Sequence, residues 1–543
     1  MKHRDMVVCL VVCLSVSSCD SELSGPRDAA VGDAADIDAR VAGDLLGEAI
    51  SDGAAGDLEP GDGGPKPDGS TSVCAHLQPP ATAVVIAPGT DIQQVVDANP
   101  AGTAYLLEAG EHRMQNIKPQ HGDAFYGELD PSCKRLTVLN GARLLTGFTK
   151  SGSAWVVGGQ TQQGQVHGQC ETDWPRCKYP EDLYVDDQPV KHVDSLSAVG
   201  PGTWYFDYGA DKIYVGDDPS GHTVEVGVTR AAFSPTATHV KVVGLVVEKY
   251  AIPPQMGAIG DQYPESDWHI EYNEVRLNHG TGINIASRTK AINNYVHHNG
   301  QKGIGAGGDD GLIDGNEISY NNYAHISSGW EAGGTKFANT NRLTVSNNCV
   351  HHNGGPGLWT DIDNMDTLYE GNIAFNNDKE GIFHEISFDA VIKGNLVGQN
   401  AEKGVGWLYG AQILISTSKN VEVLNNAVEV NASYGNAIGI IWQDRGAAYE
   451  STGNDVHDND VTFLGSGGEM GAASDTAAGK AEIFVKNSFD KNAYHMTNLG
   501  DAHFAWDNGS RTFAEFQAKG QDVNGTADTK VTARSWSCSM AKP

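Results

Sequence analysis

Basic residues are scarce in this sequence: 37 Lys and Arg stand against 69 Asp and Glu among 543 residues, a formal net charge of -32. A surface of that sign repels phosphate backbones and anionic lipid, so nucleic acid is excluded as an expected partner. It says little about neutral sugars. Long apolar runs are scarce as well. The run from Met6 to Val16 is shorter than the roughly 20 residues a membrane-crossing helix needs, and no later stretch could cross. Neither the cysteine spacing nor the scattered histidines form a zinc-ligand pattern, and no cofactor is implied. Between Ser21 and Ser72 almost nothing is aromatic or β-branched. That stretch, as in Gly61-Asp62-Gly63-Gly64-Pro65-Lys66-Pro67-Asp68, has too little to bury and reads as a disordered tether.

The N-terminus has the features of an export signal, with Lys2, His3 and Arg4 ahead of the apolar run. The run ends in Val16-Ser17-Ser18-Cys19, which resembles the lipobox of bacterial lipoproteins. The resemblance implies a signal peptide over 1–18, a lipid on Cys19, and a tether over 19–73 that holds the body at the cell envelope. An outer-membrane or surface location is expected, although Asp20 resembles an inner-membrane retention mark. Of nine cysteines, Cys9, Cys13 and Cys19 lie in this leader. In an oxidising exterior, Cys170 and Cys177 are the best-placed disulfide pair. Cys74 with Cys133 is a weaker pairing, and Cys349, inside a repeat, is expected as a buried thiol.

A repeat dominates the rest. An Asn followed by a short apolar strand recurs in Glu271-Tyr272-Asn273-Glu274-Val275, Ile292-Asn293-Asn294-Tyr295-Val296, Tyr369-Glu370-Gly371-Asn372-Ile373 and Val456-His457-Asp458-Asn459-Asp460-Val461, among others. The interval from Asn273 to Asn294 matches one turn of a β-solenoid. Asn suits a left-handed bend and can bond its equivalents on neighbouring coils as a ladder. A second marker, a Gly before a short alternating strand, recurs in Gly282-Ile283-Asn284-Ile285, Gly357-Leu358-Trp359-Thr360 and Gly381-Ile382-Phe383-His384. With these repeats the chain resembles the right-handed parallel β-helix superfamily that includes pectate lyases, alginate lyases and several glycoside hydrolases. The expected class is all-β: cap and first coils over 74–141, with Asp91 to Asp97 as a plugging helix, and a small β-sandwich inserted over 142–235. Solenoid coils follow over 236–505 and a C-terminal cap over 506–543.

Two consecutive coils supply chemistry. Laying Gly357-Leu358-Trp359-Thr360-Asp361-Ile362-Asp363 beside Gly381-Ile382-Phe383-His384-Glu385-Ile386-Ser387 matches Asp361 to Glu385. Alternation sends Leu358 and Ile362 inward and Trp359, Asp361 and Asp363 outward. Coils stack about 4.8 Å apart, near the roughly 5–5.5 Å carboxyl separation of a retaining glycosidase. The strands also resemble those of the β-helix β-xylosidases, in which an apolar-Trp-x-Asp strand bears the nucleophile and an apolar-Phe-x-Glu strand the acid/base. That resemblance implies Asp361 as nucleophile and Glu385 as general acid/base. Trp359, Asp363 and His384 are expected beside the sugar, with Trp359 its platform, and Trp330, Glu331 and Lys336 in the preceding coil reach the same cleft.

Two rival readings stand. A polysaccharide lyase would use Lys336 or Arg445 to neutralise a uronate, with calcium held by Asp361, Asp363, Asp366 and Glu385. A non-catalytic glycan-binding or structural solenoid would need none of these residues. The expected partner in each case is an oligo- or polysaccharide, met by a monomer.

Overall fold

The apolar residue at the centre of each three-residue strand decides the architecture. Val242, Ile270, Ala291, Ile313, Val345, Tyr369, Ile392, Val423 and Val456 are register partners on successive parallel strands. All are buried in one continuous core. Val275, Val296, Ile318, Val350, Ala374, Val397, Val428 and Val461 form a second such column. Strands this short hold because each is bonded to the coil on either side. One circuit places Lys290–Ile292, Tyr295–His297 and Lys302–Asp309 in three different sheets. The three sheets hold 13, 13 and 11 strands, and the fold is the right-handed parallel β-helix expected from the repeat. The computed structural model describes residues 74–235, 237–260, 266–404, 406–446, 449–475 and 481–538. The export signal, Cys19 and the tether lie outside the described residues.

The asparagine ladder is present and ordered. Nδ2 of Asn273 donates to Asn294 at 3.1 Å, Asn294 to Asn316 at 3.0 Å, and so on through Asn348, Asn372, Asn395, Asn426, Asn459 and Asn492, ending on Asp522 at 3.0 Å. The left-handed bend falls one residue earlier than the ladder, on Tyr272, Asn293, Gly315, Asn347, Gly371, Gly394, Asn425 and Asp458. Ladder and bend are therefore separate duties of adjacent residues. A second ladder at the next corner, Asn278, Asn299, Asn321, Asn353, Asn377, Asn400 and Gln412, was not anticipated.

Between neighbouring coils the chain departs into eight strands, from Ala142–Leu144 to Val224–Gly227. They form one eight-stranded sheet, in which Gln188–His192 serves both halves, around Leu183, Trp204, Phe206, Ile213 and Val226. The insertion thus has its own core. Ion pairs around the buried Lys249 and Glu225 join it to the coils: Lys249 pairs with Glu225 and Asp187, and Arg113 lies 2.6 Å from Glu225.

Helix Ile92–Ala98, capped by Asp91, plugs the N-terminal end with Ile92 and Val96. Helix Phe513–Ala518 closes the other end, with Phe516 against Phe489, Phe504 and Trp506. Both expected disulfides, Cys170–Cys177 and Cys74–Cys133, are formed. Cys349 is not a thiol: it pairs with Cys538, because the C-terminal tail runs back along the solenoid and brings Trp536 against Phe375.

Candidate active site

The site is built on the third sheet, where Leu358 pairs with Ile382, Trp359 with Phe383 and Thr360 with His384. Leu358 and Ile382 enter the core. Alternation then turns Trp359, Asp361, Phe383 and Glu385 to the opposite face. It fails one residue later. Ile362, expected inward, is 40% exposed, because both it and Asp363 adopt left-handed conformations that turn the chain out of the strand.

Asp361 and Glu385 are brought to one place, each about nine-tenths buried and each facing a cation. Lys336 Nζ lies 2.7 Å from Asp361 Oδ2, and Arg445 Nη2 lies 3.1 Å from Glu385 Oε1. Glu331 extends the row, 3.7 Å from Lys336 and 3.0 Å from the buried Lys302. Acids and bases thus alternate across coils: Lys302, Glu331, Lys336, Asp361, then Glu385 and Arg445. Burial first, and the nearby Asp361 second, push the Glu385 carboxyl up to about 7 against the pull of Arg445 and Lys336. Burial would raise Glu331 too, but Lys302 and Lys336 hold its carboxyl below the ordinary value.

Other expected site residues fall differently. His384 faces the core, fully buried, its Nδ1 2.7 Å from Thr360 Oγ1, and burial drives it down to about 3. A neutral core histidine cannot touch a sugar. Trp359 is no open platform: the Lys336 ammonium lies 4.0 Å from its ring centroid and Phe383 stacks on it at 5.6 Å. Stacking of coils fills the ring's surroundings from both neighbours. Among the described residues its indole N–H has no hydrogen-bond partner, yet it lies near enough to Glu385 to favour the ionised carboxyl. Asp363 is exposed and accepts from the Tyr449 hydroxyl at 2.8 Å. Trp330 is half-buried edge-on to His167, and its carbonyl oxygen accepts from Lys336 at 3.3 Å.

Lys302 was missed. Its only sequence signal is a charge directly before a Gly-strand marker, in Lys302-Gly303-Ile304. Asp361, Asp363, Asp366 and Glu385 do not come together as a set of three or more: among the described residues the one group with metal-ligand proximity is Cys349, His351 and Cys538, two of which are joined as a disulfide.

The family described as right handed beta helix region matches residues 261–428. No curated protein matches the sequence. Among solved structures, the complex of XylC with xylose is similar with a TM-score of 0.62 at 16% identity, covering 83% of this chain and 86% of that one. The mannuronan C-5 epimerase AlgE6 A-module of Azotobacter vinelandii follows at TM-score 0.47 and 14% identity, covering 85% and 99%. A structure titled glycoside hydrolase has TM-score 0.43 and 10% identity, covering 81% and 99%. Repeat, sheet topology, family match and structural likeness agree that the chain is a right-handed parallel β-helix protein.

Proposed function

We propose that this protein is a carbohydrate-active enzyme, a retaining glycoside hydrolase with Asp361 as nucleophile and Glu385 as general acid/base. The observation that carries the reading is the division of labour between two carboxyls on adjacent coils. Asp361 sits against an ammonium, whereas Glu385 retains its proton to about neutral pH. In the first step the Asp361 carboxylate forms a bond to the anomeric carbon while Glu385 gives its proton to the departing glycosidic oxygen. In the second, Glu385 takes a proton from water, the water oxygen attacks the same carbon, and Asp361 leaves as carboxylate. Lys336 balances charge on Asp361, and Arg445 steadies Glu385 once it is ionised.

The lyase reading asks Lys336 and Arg445 for free cations, and both face carboxylates. The solenoid is tested on aryl glycosides and polysaccharides, with xylosides included because XylC was solved with xylose. New reducing ends without unsaturated-uronate absorbance support the hydrolase. Both signals together mean a lyase, and neither signal across the panel means a binding or structural role. Asp361→Asn and Glu385→Gln should each lower turnover by about a hundredfold or more. We also propose a lipid on Cys19, which Cys19→Ser should abolish, releasing the protein from the membrane fraction.

A further inference from the structure

Three segments distant in sequence border a cavity apart from the carboxyl pair: the loop closed by Cys170–Cys177, the inserted sheet's strand Gln188–His192, and the solenoid residues Tyr323 and Ala324. It is small, about 60 Å³, room for a carboxylate group rather than a whole sugar ring, and its polar lining comes from Trp174, Arg176, Asp182, Lys191, His192 and Tyr323.

Among the described residues, two buried donors of that lining have no partner. His192 is 7% exposed and stacks on Trp204. Its Nε2 accepts the Phe206 backbone N–H at 3.3 Å, so the ring proton sits on Nδ1, which has no partner. Burial, with Arg176 and His279 nearby, keeps this imidazole neutral. Arg176 donates through Nη2 to the Asp194 carbonyl oxygen at 3.2 Å and lies 4.4 Å over the Tyr179 ring, while its Nη1 is buried and unpartnered. The Lys191 ammonium rests 4.5 Å over the Trp174 ring. Among the described residues neither cation is paired with a carboxylate, in a chain of net charge -32. The lining carboxylate, Asp182, already accepts at Oδ2 from His279 at 2.8 Å and from the Tyr323 hydroxyl at 2.6 Å. Buried donors left unsatisfied are costly, and a ligand able only to accept relieves them.

We propose that this cavity is an oxyanion subsite, filled by the carboxylate of an acidic sugar that forks across Arg176 Nη1 and His192 Nδ1 beside the Lys191 charge. Trp330 links it to the carboxyl pair: with Trp174 and Tyr323 it packs against the apolar cluster of Cys177, Ala324, Ile326 and Ala332, and its carbonyl oxygen accepts from Lys336. The inference rests on the proposed function only in making the oxyanion's carrier a saccharide.

The test is calorimetric titration of the full chain with glucuronate, galacturonate, sulfate and, as neutral control, xylose. The wild type, Arg176→Gln, Lys191→Met and Asp361→Asn are compared. Uronates should bind the wild type and Asp361→Asn alike, xylose should not bind at this site, and Arg176→Gln and Lys191→Met should each weaken uronate binding by about tenfold. Uronate binding together with silence across the glycoside and polysaccharide panel leaves the subsite standing and removes the hydrolase. Binding of sulfate but not uronates overturns the acidic-sugar assignment. Absence of any anion binding, or uronate affinity unchanged in both variants, overturns the subsite altogether.

Discussion

At the scale of single residues, Glu385 governs pH behaviour. Its carboxyl must carry a proton to protonate a leaving group, so kcat/KM should fall about tenfold per pH unit above about 7, and Glu385→Gln should remove that limb from whatever activity remains. Stability follows the same raised value with a definite sign. The folded state holds the proton more tightly than the unfolded chain, so the contribution is full below the ordinary carboxyl range and is lost as pH rises through about 7. Glu385→Gln should therefore stabilise the protein above pH 7, by at most roughly 3 kcal/mol, and much less near pH 4. Denaturant titration at both pH values reads this directly. Lys336→Met should act oppositely: it leaves Asp361 buried without its 2.7 Å partner and costs about 3 kcal/mol. The Asp361 and Glu385 pairing was legible in sequence because equal spacing after a Gly marker sets coil register. His384 and Ile362 were not. Alternation stops at the left-handed turn on Ile362, and the same two-residue period that turns Phe383 outward turns His384 into the core.

At the scale of elements, the ladder asparagines replace what longer strands would supply. Asn372 donates to the Val345 carbonyl oxygen at 2.8 Å and to Asn395 at 3.0 Å, and its Oδ1 accepts from the backbone and side chain of Asn348. Asn372→Ala leaves buried groups unsatisfied on both neighbouring coils and should cost about 2–4 kcal/mol. Hydrogen exchange should quicken at strands Cys349–His351 and Ile373–Phe375 before it quickens elsewhere. The solenoid was legible because one Asn and one Gly marker recur every coil. The second ladder was not, since its Asn residues stand beside histidines and glycines already assigned to the turn, as in His297-His298-Asn299-Gly300. The insertion was legible from its hairpin rhythm. Its closure as a single sheet depends on the parallel pairing of Lys191 and His192 with Thr203 and Trp204, a long-range choice that local turns do not encode.

At the scale of the whole molecule, the C-terminal tail is held by contacts that short-range pattern cannot disclose. Cys538 reaches Cys349 across 189 residues, Arg534 lies 3.2 Å from Asp460, and the Trp536 indole donates to Glu429 at 2.9 Å. Trypsin should cut after Arg534 only when that disulfide is broken, and mass spectrometry of Cys349→Ser against the wild type reads the difference. The acidic total is likewise uneven at this scale. It coexists with buried cations that face the carboxyl row and, among the described residues, with cations lacking a carboxylate partner around the cavity at Arg176 and Lys191, so net charge does not describe the sites. A retaining mechanism requires Asp361 to become covalently bonded to sugar. It is tested most directly by incubating the full chain with 2-deoxy-2-fluoro derivatives of the sugars it turns over and mapping any adduct by peptide mass spectrometry. The account predicts a fluoroglycosyl ester on the peptide containing Asp361, absent from Asp361→Asn. Turnover with no adduct there, or with an adduct on another residue, would contradict it.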